Sequence, residues 1–308
     1  MSHSPKPLRE AVRPTTIIES ERLSKKLGAR VTIATETFQH TGSFKFRAAY
    51  NLASKVPHRR IIAASSGNYG QAMAYACGLL GKECIIVMPH NSAQVKIDAV
   101  REYGAQADLV DVRIKSRAAR VGELSDLYPD AYIASAYDDP LVIEGNASLG
   151  EELCSMSRSF DFIIAPVGGG GLTSGLIKAV RASGRDTEVI GAEPLIANDA
   201  ARSLREGRIV ANEAEPQTIA DGTRTVSIGH HNWEILKDGI SRIIEVTEEK
   251  IIEGVRVLFL LANLKTEPTG ALSIGALMTE PEFFRDRSVC CVISGGNVDP
   301  EVYRSILA

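Results

Sequence analysis

The stretch TGSFKFRAAYN, residues 41 to 51, sets Lys45 between Phe44 and Phe46 in the first turn of a predicted helix. Aromatic neighbours would partly desolvate the amine, which lowers a lysine pKa and favours imine chemistry. A second stretch, PVGGGGLTSG from Pro166 to Gly175, follows the apolar FIIA and precedes the helical LIKAVRASG. Four successive glycines, Gly168, Gly169, Gly170 and Gly171, remove every Cβ, so consecutive N–H groups can converge on an anion at a helix N-terminus. Phosphate is the natural ligand. The loop has neither the GxxxxGK pattern of a P-loop nor the GxGxxG-plus-acid context of a dinucleotide site. Pyridoxal phosphate (PLP) meets both requirements, since its phosphate anchors it and its aldehyde takes a lysine amine as a Schiff base.

These groups need a scaffold. Short β-rich runs recur along the chain, each followed by a helical pattern: RVTIATE, RRIIAASS, ECIIVMP, ADLVDV, AYIAS, FDFIIAPVG, TEVIGAEP, RIIEVT and SVCCVISGG. That alternation predicts an α/β architecture with largely parallel sheets. The strands are too many for one ordinary sheet, so two α/β lobes with a cleft between them are expected. In NYGQAMAYACGLLG, Ala72, Ala74, Ala76 and Leu79 are expected to face a core, with Gly81 ending the helix. TEEKIIEGVRVLFLLANL opens on Thr247 as a cap, with acids in the first turn to suit the helix dipole. The polar REGRIVANEAEPQTIADGTRT is the longest region without clear periodicity, and such segments in compact enzymes often line sites.

With 308 residues the chain can form one large or two moderate domains, and its formal charge of −3 shows no bias toward nucleic acid or an anionic membrane. The expected ligand is a small molecule. Cys77, Cys84, Cys154, Cys290 and Cys291 include no CxxC spacing, so reduced, mostly buried thiols are expected rather than disulfides or zinc. The N-terminus lacks an apolar stretch of signal-peptide length, and no segment approaches the roughly 20 apolar residues of a bilayer span. A cytoplasmic location is expected. The adjacent His230 and His231 would point to opposite faces of an extended strand and could not jointly chelate a metal.

TGSFKFRAA, SSGNYGQA, PVGGGG, TIADG, EPTG and SGGNVD, in this order, resemble the fold-type II PLP-dependent enzymes, in the serine/threonine dehydratase and serine racemase branch. The resemblance runs from about Arg13 to Asp299. It implies a two-lobed, three-layer α/β/α fold like that of the tryptophan synthase beta subunit. Residues 1–50 and 140–308 would form the large PLP-binding domain and residues 51–139 the small one, with no C-terminal regulatory domain and with assembly as a homodimer.

Roles carry over motif by motif. The resemblance makes Lys45, beside Phe44, the residue that carries the cofactor and acts as base at the substrate Cα. Gly168 to Gly171 hold the phosphate, and Asn68 bonds the cofactor 3-hydroxyl. Ser65 and the backbone from Ser66 to Tyr69 receive the substrate carboxylate, although the same groups could simply cap a helix. Ser294 faces the pyridine nitrogen. A neutral hydroxyl there leaves the ring a weaker electron sink than a carboxylate would, which suits loss of a β-leaving group. Ser66 matches a serine that works on the other face of the substrate and permits racemisation. Glu193, the Ala197 carbonyl and Asp199 resemble a divalent-cation site for Mg²⁺, Ca²⁺ or Mn²⁺.

This chain also departs from the pattern. GNAS, Gly145 to Ser148, stands where GQGT is usual, Tyr69 replaces a histidine, and RAAYN replaces RGA. The expected activity is a PLP-dependent ammonia-lyase on an L-3-hydroxy amino acid, with L-serine or L-threonine as the default substrate. Racemisation, β-replacement, a 3-hydroxyaspartate or phenylserine substrate, and a ligand-binding homologue without chemistry are the alternatives.

Overall fold

The computed structural model describes residues 5–308. Ten strands form among the described residues: β1 (Thr16–Glu19), β2 (Arg30–Thr35), β3 (Arg60–Ala64), β4 (Glu83–Pro89), β5 (Gln106–Val110), β6 (Tyr132–Ala134), β7 (Phe162–Pro166), β8 (Glu188–Pro194), β9 (Arg242–Val246) and β10 (Ser288–Ile293). They divide into a six-stranded sheet, β1-β2-β10-β7-β8-β9, and a four-stranded sheet, β5-β4-β3-β6. All nine predicted runs are strands, and every pairing is parallel except β1 with β2. Strand β1 is not among the predicted runs. Its four residues, TIIE, form a half-exposed antiparallel edge with too little sequence to show a period.

Helices cover the sheets, so the strands can be apolar on both faces; β7, FIIAP, is buried throughout. Helix Pro268–Thr279 packs against β7, β8, β9 and β10 and is buried from Pro268 to Leu277. In helix Asn68–Leu80, Ala72, Ala74 and Ala76 are buried as predicted, and Gly81 ends it in the left-handed conformation at φ 64°. Leu79 corrects the prediction, since it is 54% exposed at the last turn, outside the face that packs. Thr247 caps helix Glu248–Ala262 by accepting from Lys250 N at 3.4 Å.

Helix Lys45–Lys55 runs through residue 50, where the domain boundary was expected. Its buried face, including Phe46, Ala49 and Leu52, shares a core with Ile61, Ala63 and Ile86 of the four-stranded sheet. The helix also packs on helix Pro140–Ser155, so it bridges the two cores. Cys77, Cys84, Cys290 and Cys291 are buried, Cys154 is half-buried, and all five are thiols, as expected.

Candidate active site

Four segments that leave the carboxyl ends of parallel strands meet in one cleft. These are the turn from β2 to helix Lys45–Lys55, the turn from β3 to helix Asn68–Leu80, the glycine loop after β7, and Ser294 after β10. This is where open α/β sheets bind ligands. The cleft encloses about 720 Å³, and Phe44, Lys45, Ser65, Ser66, Asn68, Gly168, Gly169, Gly170, Gly171 and Ser294 all line it. The irregular segment that was expected to line a site does so, through Glu215 and residues Asp221 to Thr225.

Lys45 is the first residue of its helix. Its amine donates to the Ala136 carbonyl at 3.0 Å and lies 4.9 Å from the Phe44 ring centroid and 5.8 Å from that of Tyr69. Burial lowers its pKa to about 8, with the Glu267 carboxylate opposing the shift. The aromatic pair around the amine is thus Phe44 and Tyr69. Successive helical residues diverge by about 100°, so Phe46 turns away to pack on His40, Tyr50 and Tyr75. The Phe44 N–H donates to the Ser294 carbonyl at 3.0 Å, which fixes the lysine turn to the turn after β10.

Ser65 accepts from Gly67 N at 3.3 Å and Gly70 N at 3.1 Å, so its hydroxyl caps helix Asn68–Leu80. Asn68 donates to both carboxylate oxygens of Glu267 at 3.0 Å and accepts from Asn297 Nδ2 at 2.8 Å. Glu267 is buried, and its pKa is raised to about 8 by burial first and by Asp221 second. Its motif, EPTG, stands out in the sequence, but Glu267 was not selected there as a site residue. Tyr69 needs a correction. Its ring flanks Lys45, but the side chain is 2% exposed, does not line the cleft, and has its phenol pushed well above its usual pKa by burial and then by Asp139.

The glycine loop is specified sterically. A Cβ on Gly169 would lie 2.1 Å from the Tyr137 ring, and Gly170 adopts φ 94°, a left-handed conformation that side chains disfavour. Gly171 opens helix Gly171–Ser183, whose first N–H groups have no intrahelical acceptor. Asn232 ties the loop down by donating to the carbonyls of Gly169 at 2.8 Å and Tyr137 at 2.9 Å. In the turn after β10, the Ser294 hydroxyl is buried with no partner. A lysine amine, a Cβ-free cradle at a helix N-terminus and an orphaned hydroxyl lining one cleft fit PLP.

Glu193 lies near the end of β8, Ala197 ends a short 3₁₀ turn, and Asp199 opens helix Asp199–Glu206. Glu193 accepts from Ala201 N at 2.6 Å and Ala200 N at 3.3 Å, and Asp199 accepts from Asn212 at 2.9 Å. Burial raises Asp199 to about 7 and lifts Glu193 well above the carboxylate range. Asp199 Oδ2 is buried without a partner, so one acceptor is left for a cation. In the GNAS stretch, Ser148 Oγ accepts from Arg47 at 3.1 Å, and Asn146 is buried with its carboxamide unpaired. His230 and His231 begin a helix rather than the extended strand on which they were placed, and both are exposed.

A cleft of this make-up on two mainly parallel sheets defines a PLP-binding α/β enzyme. Residues 8–295 match the family model described as pyridoxal-phosphate dependent enzyme, and the chain belongs to that family. It is 35% identical over 297 residues to the L-threo-3-hydroxyaspartate ammonia-lyase of Pseudomonas sp, covering 95% of this chain and 92% of that one. It is 33% identical to the serine racemase of Schizosaccharomyces pombe, with 96% and 92% covered. The crystal structure of a threonine deaminase from T.th. superposes with a TM-score of 0.90 at 37% identity, covering 95% of each chain. The fold-type II assignment and the serine/threonine dehydratase and serine racemase branch are thereby established, and the chain is a PLP-dependent ammonia-lyase. Among the described residues no helix is long and apolar enough to cross a membrane.

Proposed function

We propose that the enzyme converts an L-3-hydroxy amino acid whose side chain is acidic, with 3-hydroxyaspartate as the simplest case, to a 2-oxo acid and ammonia, through β-elimination of water and hydrolysis of the enamine. Arg117 carries this reading. Its guanidinium enters the cleft from the four-stranded lobe, and its carboxylate partner, Glu215, is half-exposed. Lys96 and Arg224 line the same cleft, and Arg224 is held by the Thr218 carbonyl. A second carboxylate on the substrate would be drawn to this wall. The hydroxyaspartate ammonia-lyase relative supports the choice over the serine and threonine default.

Bound PLP supplies the electron sink that makes the substrate Cα–H acidic. The chain supplies the rest. Ser65 and the first turn of helix Asn68–Leu80 receive the α-carboxylate. The Lys45 amine, with its pKa lowered to about 8, takes the Cα proton near neutral pH. The β-hydroxyl leaves as water, and hydrolysis of the resulting enamine gives a 2-oxo acid and ammonia. Ser294, a neutral hydroxyl lining the cleft, favours elimination over paths that need a long-lived carbanion. Glu193, Asp199 and the Ala197 carbonyl are the residues that would hold a divalent cation.

Racemisation is the second reading. Ser66 lines the cleft with Lys45, so another group able to exchange a proton at Cα is present. Proton NMR in D₂O on the PLP-loaded protein separates the two, using L-threo-3-hydroxyaspartate, L-serine and L-threonine in turn. The expected result is a 2-oxo acid formed fastest from hydroxyaspartate. Loss of the Cα proton with the amino acid intact would establish racemisation instead, and faster turnover of serine or threonine would return the default substrate.

A further inference from the structure

Arg117 is the first residue of helix Arg117–Leu127, and it reaches across the cleft to Glu215 Oε2 at 3.2 Å. Glu215 belongs to the irregular segment between helix Asp199–Glu206 and the 3₁₀ turn Asp221–Thr223. Both side chains line the cleft, 33% and 50% exposed. A second bridge repeats the arrangement, with Lys96 of the small lobe 3.2 Å from Asp221 at the end of the same segment. One stretch of the large lobe thus presents two acids to two small-lobe cations at the edge of the site.

The geometry points to Glu215 as a resident stand-in for the substrate's distal carboxylate, one that an acidic ligand must displace from Arg117. This rests on the reading of an acidic substrate. A half-exposed ion pair is weak enough to be exchanged, while a ligand carboxylate inside the cleft meets the same guanidinium with less water around it. Lys96–Asp221 keeps the segment in place during the exchange. Glu215 therefore sets how strongly the enzyme prefers acidic over neutral side chains, by competing for Arg117 and by repelling an incoming anion. It is a specificity residue with no part in the chemistry.

Calorimetric titration of the PLP-loaded protein with succinate tests this, with butyrate as the ligand lacking the second carboxylate. Glu215→Gln is expected to tighten succinate binding about three- to tenfold and to move butyrate less. In an Arg117→Ala background the gain should vanish, because the two substitutions report on one interaction. Unchanged succinate affinity in Glu215→Gln, no succinate binding in either protein, or the same gain without Arg117 would each overturn the proposal. Failure of the wild-type enzyme to turn over hydroxyaspartate overturns the substrate reading separately, since the succinate titration still reports on Glu215.

Discussion

At the scale of single residues, the site holds two groups whose pKa values are both moved to about 8, Lys45 down and Glu267 up, each mainly by burial. Their effects on stability run in opposite directions. Folded Glu267 keeps a proton that the unfolded chain releases above about pH 4.5, so its contribution is lost as pH rises toward 8. Folded Lys45 sheds a proton that the unfolded chain keeps up to about pH 10.5, so stability rises between 8 and 10.5. Urea unfolding of the PLP-free protein at pH 5 and pH 8 should show a loss of roughly 2 kcal/mol or more. Glu193 and Asp199, whose carboxyls burial also raises, add to the loss, so Glu267→Gln should reduce it by roughly 2 kcal/mol, and an unchanged loss there would refute the assignment. That Lys45, the glycines and Ser294 line one cleft was legible in the sequence, because an amine between aromatics, a Cβ-free turn and a neutral hydroxyl at strand ends are few-residue choices. Glu267 was not, because its partner Asn68 lies 199 positions away. Arg117 was not either, since RAARVGEL reads as an ordinary charged surface helix.

At the scale of elements, the helix that carries Lys45 is anchored two residues later. Arg47 is fully buried and bonds Glu36 at 2.7 and 3.0 Å, Glu152 at 2.7 Å, Ser148 at 3.1 Å and Thr15 at 2.8 Å. The cluster joins the end of β2, helix Pro140–Ser155 and the segment before β1 to the lysine helix. Replacing Arg47 with alanine leaves Glu36 buried without its cation, which costs about 3–5 kcal/mol. The expected result is a matching fall in urea stability together with weaker PLP binding, and a change under about 1 kcal/mol would show the cluster to be dispensable. The strand pattern was readable because parallel strands buried on both faces are continuous apolar runs. The direction of side chains around a helix was less so, which is why Phe46 was expected beside the amine and Leu79 in the core.

At the scale of the whole molecule, both sheets feed one cleft, while the candidate cation site lies in the large lobe at the end of β8. Two buried carboxylates with raised pKa values, one with an unpaired oxygen, are costly when ionised and gain from a cation. Mg²⁺ or Ca²⁺ at millimolar concentration should raise the melting temperature of the protein by a few degrees, with EDTA reversing the gain. Asp199→Asn should abolish the increment, and its persistence in that variant would place the ion elsewhere.

The order of the six-stranded sheet also bears on how the protein is made. β10, residues 288–293, lies in the interior between β2 and β7, and the turn that follows it carries Ser294 and holds the lysine turn through Phe44. A growing chain on the ribosome has a gap in the middle of its main sheet until this strand emerges. Contacts of such high sequence separation form late. Cofactor capture is consequently expected only once β10 is in place, because the turn that positions Lys45 hangs on the residue that follows that strand.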